Sequence, residues 1–137
     1  MLRDRPRPVY NDDMTTWDST IFAAPAAADL LEEVGAIDDP GEQAASLAGA
    51  CRLGASAGGA DPDEADAGLA AATVAAIWCG APFSATDVID DHPFIRAGIG
   101  FCPEDLREAA AEAFEALIGD LPDEDAEAAA EFAEAVN

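Results

Sequence analysis

The stretch that decides the fold is LAAATVAAIWCGAP, residues 69–82, which carries no charged side chain. Across the whole chain of 137 residues, 26% of the residues are charged, so this run differs sharply from its surroundings. Its apolar residues recur at helical three- and four-residue spacing on more than one face. A helix that is apolar all round either crosses a membrane or forms the buried centre of a domain.

The length of this run favours the buried centre. A membrane crossing needs about 20 apolar residues, whereas this run is shorter and follows the acidic sequence DPDEAD at residues 61–66. Asp61 is a predicted N-cap with Pro62 at the first helical position, and Gly80 and Pro82 are predicted to end the helix. We therefore predict a buried, alanine-rich central helix whose Trp78 indole N–H needs an acceptor.

Four further segments show the periodicity of amphipathic helices. Each carries an apolar stripe, which in residues 39–58 consists of Ala44, Leu47, Ala48, Cys51 and Ala55, and the other three carry carboxylates on the opposite side. The four segments cover residues 25–34, 39–58, 103–119 and 122–136. Asp39, followed by Pro40, is the predicted N-cap of the second of them. The sequence thus predicts an all-α fold: a compact single-domain bundle, residues 14–137, of about five helices around the central helix at 69–80.

The N-terminal part of the chain is less regular. Residues 1–13 combine three arginines with prolines and aspartates, which predicts a flexible leader outside the domain. The next segment, MTTWDSTIF at residues 14–22, places Trp17, Ile21 and Phe22 in a pattern too irregular for an amphipathic helix. We expect a loop that packs its aromatic side chains into the core; the alternative is the lip of a ligand site.

The charge balance excludes two classes of partner. The formal net charge is −23, and the chain contains six arginines and no lysine. Such a chain cannot neutralise phosphates, which argues against nucleic-acid binding and against anionic membranes. It attracts cations or a strongly basic protein. Three explanations of the charge stay open: solubility, halophilic adaptation to a salty cytoplasm, and an acidic decoy for the basic site of a nuclease or toxin.

The cysteines predict a reducing environment. Cys51, Cys79 and Cys102 are odd in number and lack the CxxC spacing of metal or redox sites. The N-terminal sequence MLRDRPRPVY lacks an apolar secretory core. We therefore expect a cytoplasmic protein with free thiols, in which Cys51 and Cys79 act as small core residues. One disulfide stays an open alternative that the spacing does not support.

Residues 83–102 form the least helical part of the chain after the leader, and predict either a short helix or a packed loop. This linker contains Asp90, Asp91 and His92, the only histidine. An imidazole beside carboxylates is the arrangement used in general-base catalysis. These three residues are weak catalytic candidates, and a histidine between aspartate and proline is more typical of a turn.

The remaining chemistry is poorly supported. Ser84 and Cys102 are the candidate nucleophiles that His92 would activate. The sequence predicts no metal site, because bundle metal centres and zinc sites need several histidines or clustered cysteines. It predicts no cofactor either, because a phosphate-binding glycine motif is missing.

Two stretches are similar to one family. The segment at residues 14–22, with the acidic helix that follows it, resembles the opening of the bacterial domain of unknown function 4259 family, whose members begin with Trp-Gly-x-Gly-x-Phe. Residues 66–82 resemble the alanine-rich central helix of that family, which ends in Gly-x-Pro. Asp18 and Thr20 stand where the family has glycines. The resemblance covers residues 14–136, and implies a small all-α cytoplasmic protein with no established activity.

Together these observations favour an uncharacterised acidic cytoplasmic protein that acts without catalysis. The predicted function is an interaction module, an immunity-type or regulatory partner of a basic protein. The alternative is a small hydrolase or a metal-dependent enzyme that uses the linker residues Asp90, Asp91 and His92. The sequence leaves the oligomeric state open.

Overall fold

The computed structural model describes residues 17–57, 61–81 and 86–136. Within these ranges the chain forms eight α-helices and no strand, so the all-α prediction is confirmed. The helices are α1 (Trp17–Phe22), α2 (Pro25–Gly35), α3 (Pro40–Ala57), α4 (Pro62–Trp78), α5 (Thr86–Asp91), α6 (Pro93–Ala97), α7 (Glu104–Leu117) and α8 (Asp123–Ala135). A 3₁₀ turn, Ile118–Asp120, lies between α7 and α8.

The predicted central helix is α4. Every residue from 68 to 78 is buried, and α4 contacts α1, α2, α3, α6, α7 and α8. Asp61 caps its first turn, because the Asp61 carboxylate accepts hydrogen bonds from the N–H groups of Asp63 and Glu64 at 3.1 and 3.3 Å. Gly80 follows the helix with a φ of 112°, a conformation that favours glycine. No helix in the described ranges is long and apolar enough to cross a membrane.

Two glycines bring α3 and α4 into direct backbone contact. A Cβ atom placed on Gly54 would lie 2.8 Å from the Cα of Gly68, and one placed on Gly68 would lie 2.9 Å from the Cα of Gly54. Any larger side chain at these positions would force the two helices apart. The glycine pair and the neighbouring alanines have small side chains or none, so adjacent helices can approach α4 closely. This close approach buries all faces of α4.

The tryptophan segment is helical, and the prediction of an irregular loop is wrong. The six residues of α1 place Trp17, Ile21 and Phe22 in the core, where each is at most 5% exposed. The Trp17 indole N–H donates a hydrogen bond of 2.9 Å to the hydroxyl of Thr73 on α4. The predicted insertion of these side chains into the core is therefore confirmed. The predicted leader, residues 1–13, lies outside the described residues.

The linker contains two short helices, α5 and α6, so the alternative of a wholly irregular loop does not hold for its described part. Ile89, Phe94 and Ile95 are buried as apolar anchors. Ile99 and Phe101, two further apolar residues of the linker, are 44% and 40% exposed. They follow α6 in a turn that contacts the end of α4, where the Gly100 N–H donates a hydrogen bond to the Trp78 carbonyl.

Candidate functional site

His92 joins α5 to α6. Its backbone N–H donates hydrogen bonds to the carbonyls of Val88 and Ile89 at 3.0 and 3.2 Å, and its carbonyl accepts one from Ile95 N–H at 3.0 Å. Its half-buried imidazole packs edge-on against the Phe94 ring, with 6.4 Å between the ring centroids. These contacts give His92 a structural role at the junction of α5 and α6.

The two aspartates of the linker point to different neighbours. The Asp90 carboxylate lies 3.5 Å from the Arg96 guanidinium, and both side chains are exposed. Asp91 and His92 instead border one open groove of about 540 Å³. The other residues that line this groove are Leu31, Glu32, Gly35, Ala36, Pro93 and Phe94. The structure thus brings two of the three predicted site residues together and pairs the third with an arginine.

Of the two predicted nucleophiles, Cys102 does not line this groove. Cys102 is bonded to Cys79 in a disulfide, and Ser84 lies outside the described residues. In the part of the chain that the structure describes, no group of three or more histidine, cysteine, aspartate or glutamate residues could hold a metal ion. The groove therefore offers the imidazole of His92 and the carboxylates of Asp91 and Glu32.

The disulfide corrects the prediction of free thiols for Cys79 and Cys102. The Cα atoms of these two residues lie 5.2 Å apart, because the turn after α6 returns to the end of α4. Cys51 is free and buried, as predicted for a small core residue, and burial raises the pKa of its thiol to about 12. A thiol with such a pKa is poorly reactive at neutral pH.

Backbone contacts around Trp78 hold this turn in place. The Trp78 indole N–H, which needed an acceptor, donates to the carbonyl of Ile95 at 2.9 Å. The Trp78 carbonyl accepts a hydrogen bond of 2.9 Å from Gly100 N–H. Gly98 packs against the indole so closely that an added Cβ would overlap the ring. Phe101 covers the indole from outside, with a centroid distance of 6.0 Å.

A second groove lies where α2, α3 and α4 meet, and we call it the α2–α3–α4 groove. Its volume is about 360 Å³, and it is lined by Pro25, Ala26, Asp29, Leu30, Glu33, Ala50, Leu53, Asp63 and Ala67. Leu53 is 56% exposed, more than Ile99 or Phe101. Sequence reasoning missed this groove. The available signal was a leucine on α3 that lies outside the predicted buried stripe.

The acidic residues that the structure describes lie at the surface. Among the acidic side chains that the structure describes, none is buried. Arg52 pairs with Asp105 at 2.8 Å; the hydrogen bond and charge of Arg52 lower the pKa of Asp105. With six basic residues against 29 acidic ones in the whole chain, most of the carboxylates have no basic side chain to neutralise them. The surface therefore carries a strong negative potential.

Comparison with known proteins gives no match among family models, curated proteins or solved structures. The resemblance of residues 14–136 to the domain of unknown function 4259 family stays a prediction. The geometry and charge described above are the basis for any functional inference.

Proposed function

We propose that this protein acts without catalysis, as an interaction module that binds a basic protein. One observation carries the proposal: the chain has a net charge of −23 that six arginines cannot neutralise, and its described carboxylates lie at the surface. A surface of this kind attracts cationic partners and accelerates their encounter. An immunity-type role, in which the chain covers the basic site of a nuclease or toxin, and a regulatory role both use this attraction.

Affinity capture with the full chain tests the proposal. The immobilised protein is incubated with a lysate of its own cells at about 150 mM salt, where the Debye length is about 8 Å and non-specific attraction is reduced. A poly-glutamate resin of equal charge density is the matched control. We expect one basic protein to be retained in stoichiometric amount by the chain and not by the resin. Recovery of the same proteins on both would count against a specific partner.

The proposed location is the cytoplasm, and the thiol state tests it. Disulfides are rare where glutathione and thioredoxin keep thiols reduced, so the Cys79–Cys102 bond bears directly on this proposal. Thiols can be alkylated at the moment of lysis under denaturing conditions and the labels located by mass spectrometry. Labels on all three cysteines would agree with the cytoplasm. A label on Cys51 alone would indicate an oxidising compartment.

The groove shared by Asp91 and His92 supports a second candidate, a small hydrolase or metal-dependent enzyme. In such an enzyme His92 would act as general base and Asp91 would orient it. The test is a screen of generic hydrolase substrates, with and without divalent cations, using the protein and its His92→Gln variant. Activity that the variant loses would support catalysis. Identical profiles for both proteins would remove this candidate.

A further inference from the structure

The α2–α3–α4 groove combines exposed apolar surface with uncompensated negative charge. We propose that it binds an amphipathic helix with basic residues along its edges, presented by the partner protein. The inference rests on the proposed function and adds to it a docking site and a class of ligand. Helix-in-groove recognition requires an apolar floor for anchor side chains at i, i+3 or i+4 spacing and a rim of complementary charge.

Leu53 and Leu30 provide the apolar floor. Leu30 is 8% exposed, so only its edge reaches the groove, whereas more than half of Leu53 is open to solvent. Ala50 and Ala67 line the groove between the helices and add apolar surface without filling it. An anchor leucine or methionine of the partner would gain apolar contacts here and would remove Leu53 from water.

Carboxylates provide the rim. Asp29 and Glu33 lie four residues apart, on one face of α2, and Asp63 lines the groove from the first turn of α4. All three are exposed, and no basic residue stands among the described residues that line the groove. Lysine or arginine side chains along both edges of a partner helix would meet these carboxylates while its apolar face contacts Leu53.

The other prominent surface features lack this combination. In the groove beside His92 the large apolar side chains, Leu31 and Phe94, are at most 8% exposed, and its exposed apolar residues are the smaller Ala36 and Pro93. Ile99 and Phe101 are exposed, but neither lines either of the two grooves. The charge pattern of the α2–α3–α4 groove selects a cationic helix as its occupant.

Fluorescence anisotropy with defined peptides tests this proposal on the full chain. The probe is a labelled peptide of about 18 residues, five helical turns, with leucines at i, i+3, i+4 and i+7 and lysines on both sides of this stripe. Its control is a scrambled peptide of the same composition, which carries the same charge without an apolar face. We expect the amphipathic peptide to bind about tenfold more tightly than the scrambled one.

Three variants localise the binding. Leu53→Ser removes the exposed anchor contact and is expected to weaken binding of the amphipathic peptide about tenfold, since few residues carry most of an interface energy. The pair Asp29→Asn with Glu33→Gln is also expected to weaken it. The matched control pair is Glu108→Gln with Glu112→Gln, which removes the same charge at exposed positions of α7. Circular dichroism melting verifies that each variant is folded.

The outcomes separate the docking site from the broader function. Equal affinity for the two peptides, or unchanged binding by Leu53→Ser, would overturn the groove proposal and leave a diffuse charge attraction to a basic partner. An equal loss from the control pair at Glu108 and Glu112 would overturn it in the same way. If neither peptide binds at low salt, the groove proposal and the proposed function both fail.

Discussion

At the scale of single residues, the Thr73 hydroxyl connects α1 to the central helix. It donates to the Leu69 carbonyl at 2.7 Å and accepts the Trp17 indole N–H at 2.9 Å, and Thr73 is fully buried. Thr73→Val keeps the shape but leaves the indole N–H buried without an acceptor. We expect a loss of about 1–3 kcal/mol in the free energy of unfolding, measured by urea denaturation.

Thr73→Ser is the control for this prediction, because it keeps the hydroxyl and removes a methyl group. The serine variant should be more stable than the valine variant, although valine fills the site better. A valine variant as stable as the natural protein would show that the Trp17–Thr73 hydrogen bond contributes nothing to stability.

Asp66 gives the fold a pH-dependent contribution. Partial burial, and next to it the charge of Asp63, raises the pKa of the Asp66 carboxyl. The folded state therefore favours the protonated form of Asp66. The contribution of Asp66 to stability is largest below the pKa of its carboxyl in the unfolded chain, ordinarily 3.8. This contribution is lost as the pH rises through the higher pKa of the folded state. Asp66→Asn should raise the free energy of unfolding at pH 7 and change it less at pH 3.

Denaturant unfolding of the natural protein and the variant at both pH values measures this effect. Asp120→Asn, at an exposed position in the 3₁₀ turn, is the control for the removal of one negative charge. If Asp120→Asn produces the same gain at pH 7, the effect comes from the net charge rather than from the surroundings of Asp66.

At the scale of helices, the α3–α4 contact depends on Gly54 and Gly68. A methyl group at Gly68 would approach the Cα of Gly54 to 2.9 Å and the carbonyl of Ala50 to 3.2 Å. Gly68→Ala should destabilise the protein by about 1–3 kcal/mol through overpacking. Gly49→Ala is the matched control, because Gly49 is an exposed position of α3 with nothing within 4 Å of an added Cβ.

Gly49→Ala should be as stable as the natural protein or more stable by up to about 1 kcal/mol, since alanine has a higher helix propensity than glycine. Thermal melting of both variants, followed by circular dichroism, measures the difference. Equal stabilisation by Gly68→Ala and Gly49→Ala would show that the two helices do not cross at the glycine pair.

The Cys79–Cys102 disulfide connects the end of α4 to the segment before α7. It closes a loop with a sequence separation of 23, for which the loss of unfolded-state entropy predicts about 3 kcal/mol of stabilisation. Replacing both cysteines by serine should lower stability by about this amount. A dithiol reductant should do the same to the natural protein and leave the double variant unchanged. A melting temperature unaffected by reductant would contradict the disulfide.

The features that the sequence predicts correctly depend on local chemistry. The Asp39 and Asp61 caps need only their own first helical turns, and both carboxylates accept the expected backbone N–H hydrogen bonds. The burial of α4 follows from the lack of charge in one run. By contrast, α1 has six residues, too few to show a helical period clearly.

The features that sequence analysis missed depend on tertiary contacts. The Cys79–Cys102 pair forms because the turn after α6 returns to Trp78. The spacing of the cysteines along the chain does not indicate that these two segments are close in space. The α2–α3–α4 groove likewise requires the relative placement of three helices. The one sequence feature that indicated this groove was Leu53, a leucine outside the predicted buried stripe of α3.

At the scale of the whole molecule, the density of carboxylates must destabilise the compact state by mutual repulsion. Added salt screens this repulsion, so we expect the free energy of unfolding to rise from millimolar to molar salt. We also expect the chain to stay folded at about 50 mM salt, because the buried core around α4 does not depend on screening. Circular dichroism from millimolar to molar salt measures whether the chain stays folded, and urea unfolding over the same range measures the free energy of unfolding.

Progressive unfolding as the salt is lowered would favour the competing explanation of the charge, adaptation to a salty cytoplasm. The net charge of −23 would then be explained by the salt concentration of the cell rather than by a partner. The charge would no longer support the proposed function. Full retention of structure at low salt would count against the salt explanation.

The most direct test of binding at the α2–α3–α4 groove is a chemical-shift map. The ¹⁵N-labelled full chain is titrated with the cationic amphipathic peptide at about 50 mM salt, where surface attraction is only partly screened. We predict that the largest shift changes occur at the groove residues Ala26, Leu30, Ala50, Leu53 and Ala67. Changes spread evenly over the carboxylate faces of α7 and α8, with none concentrated at the groove, would contradict a docking site there.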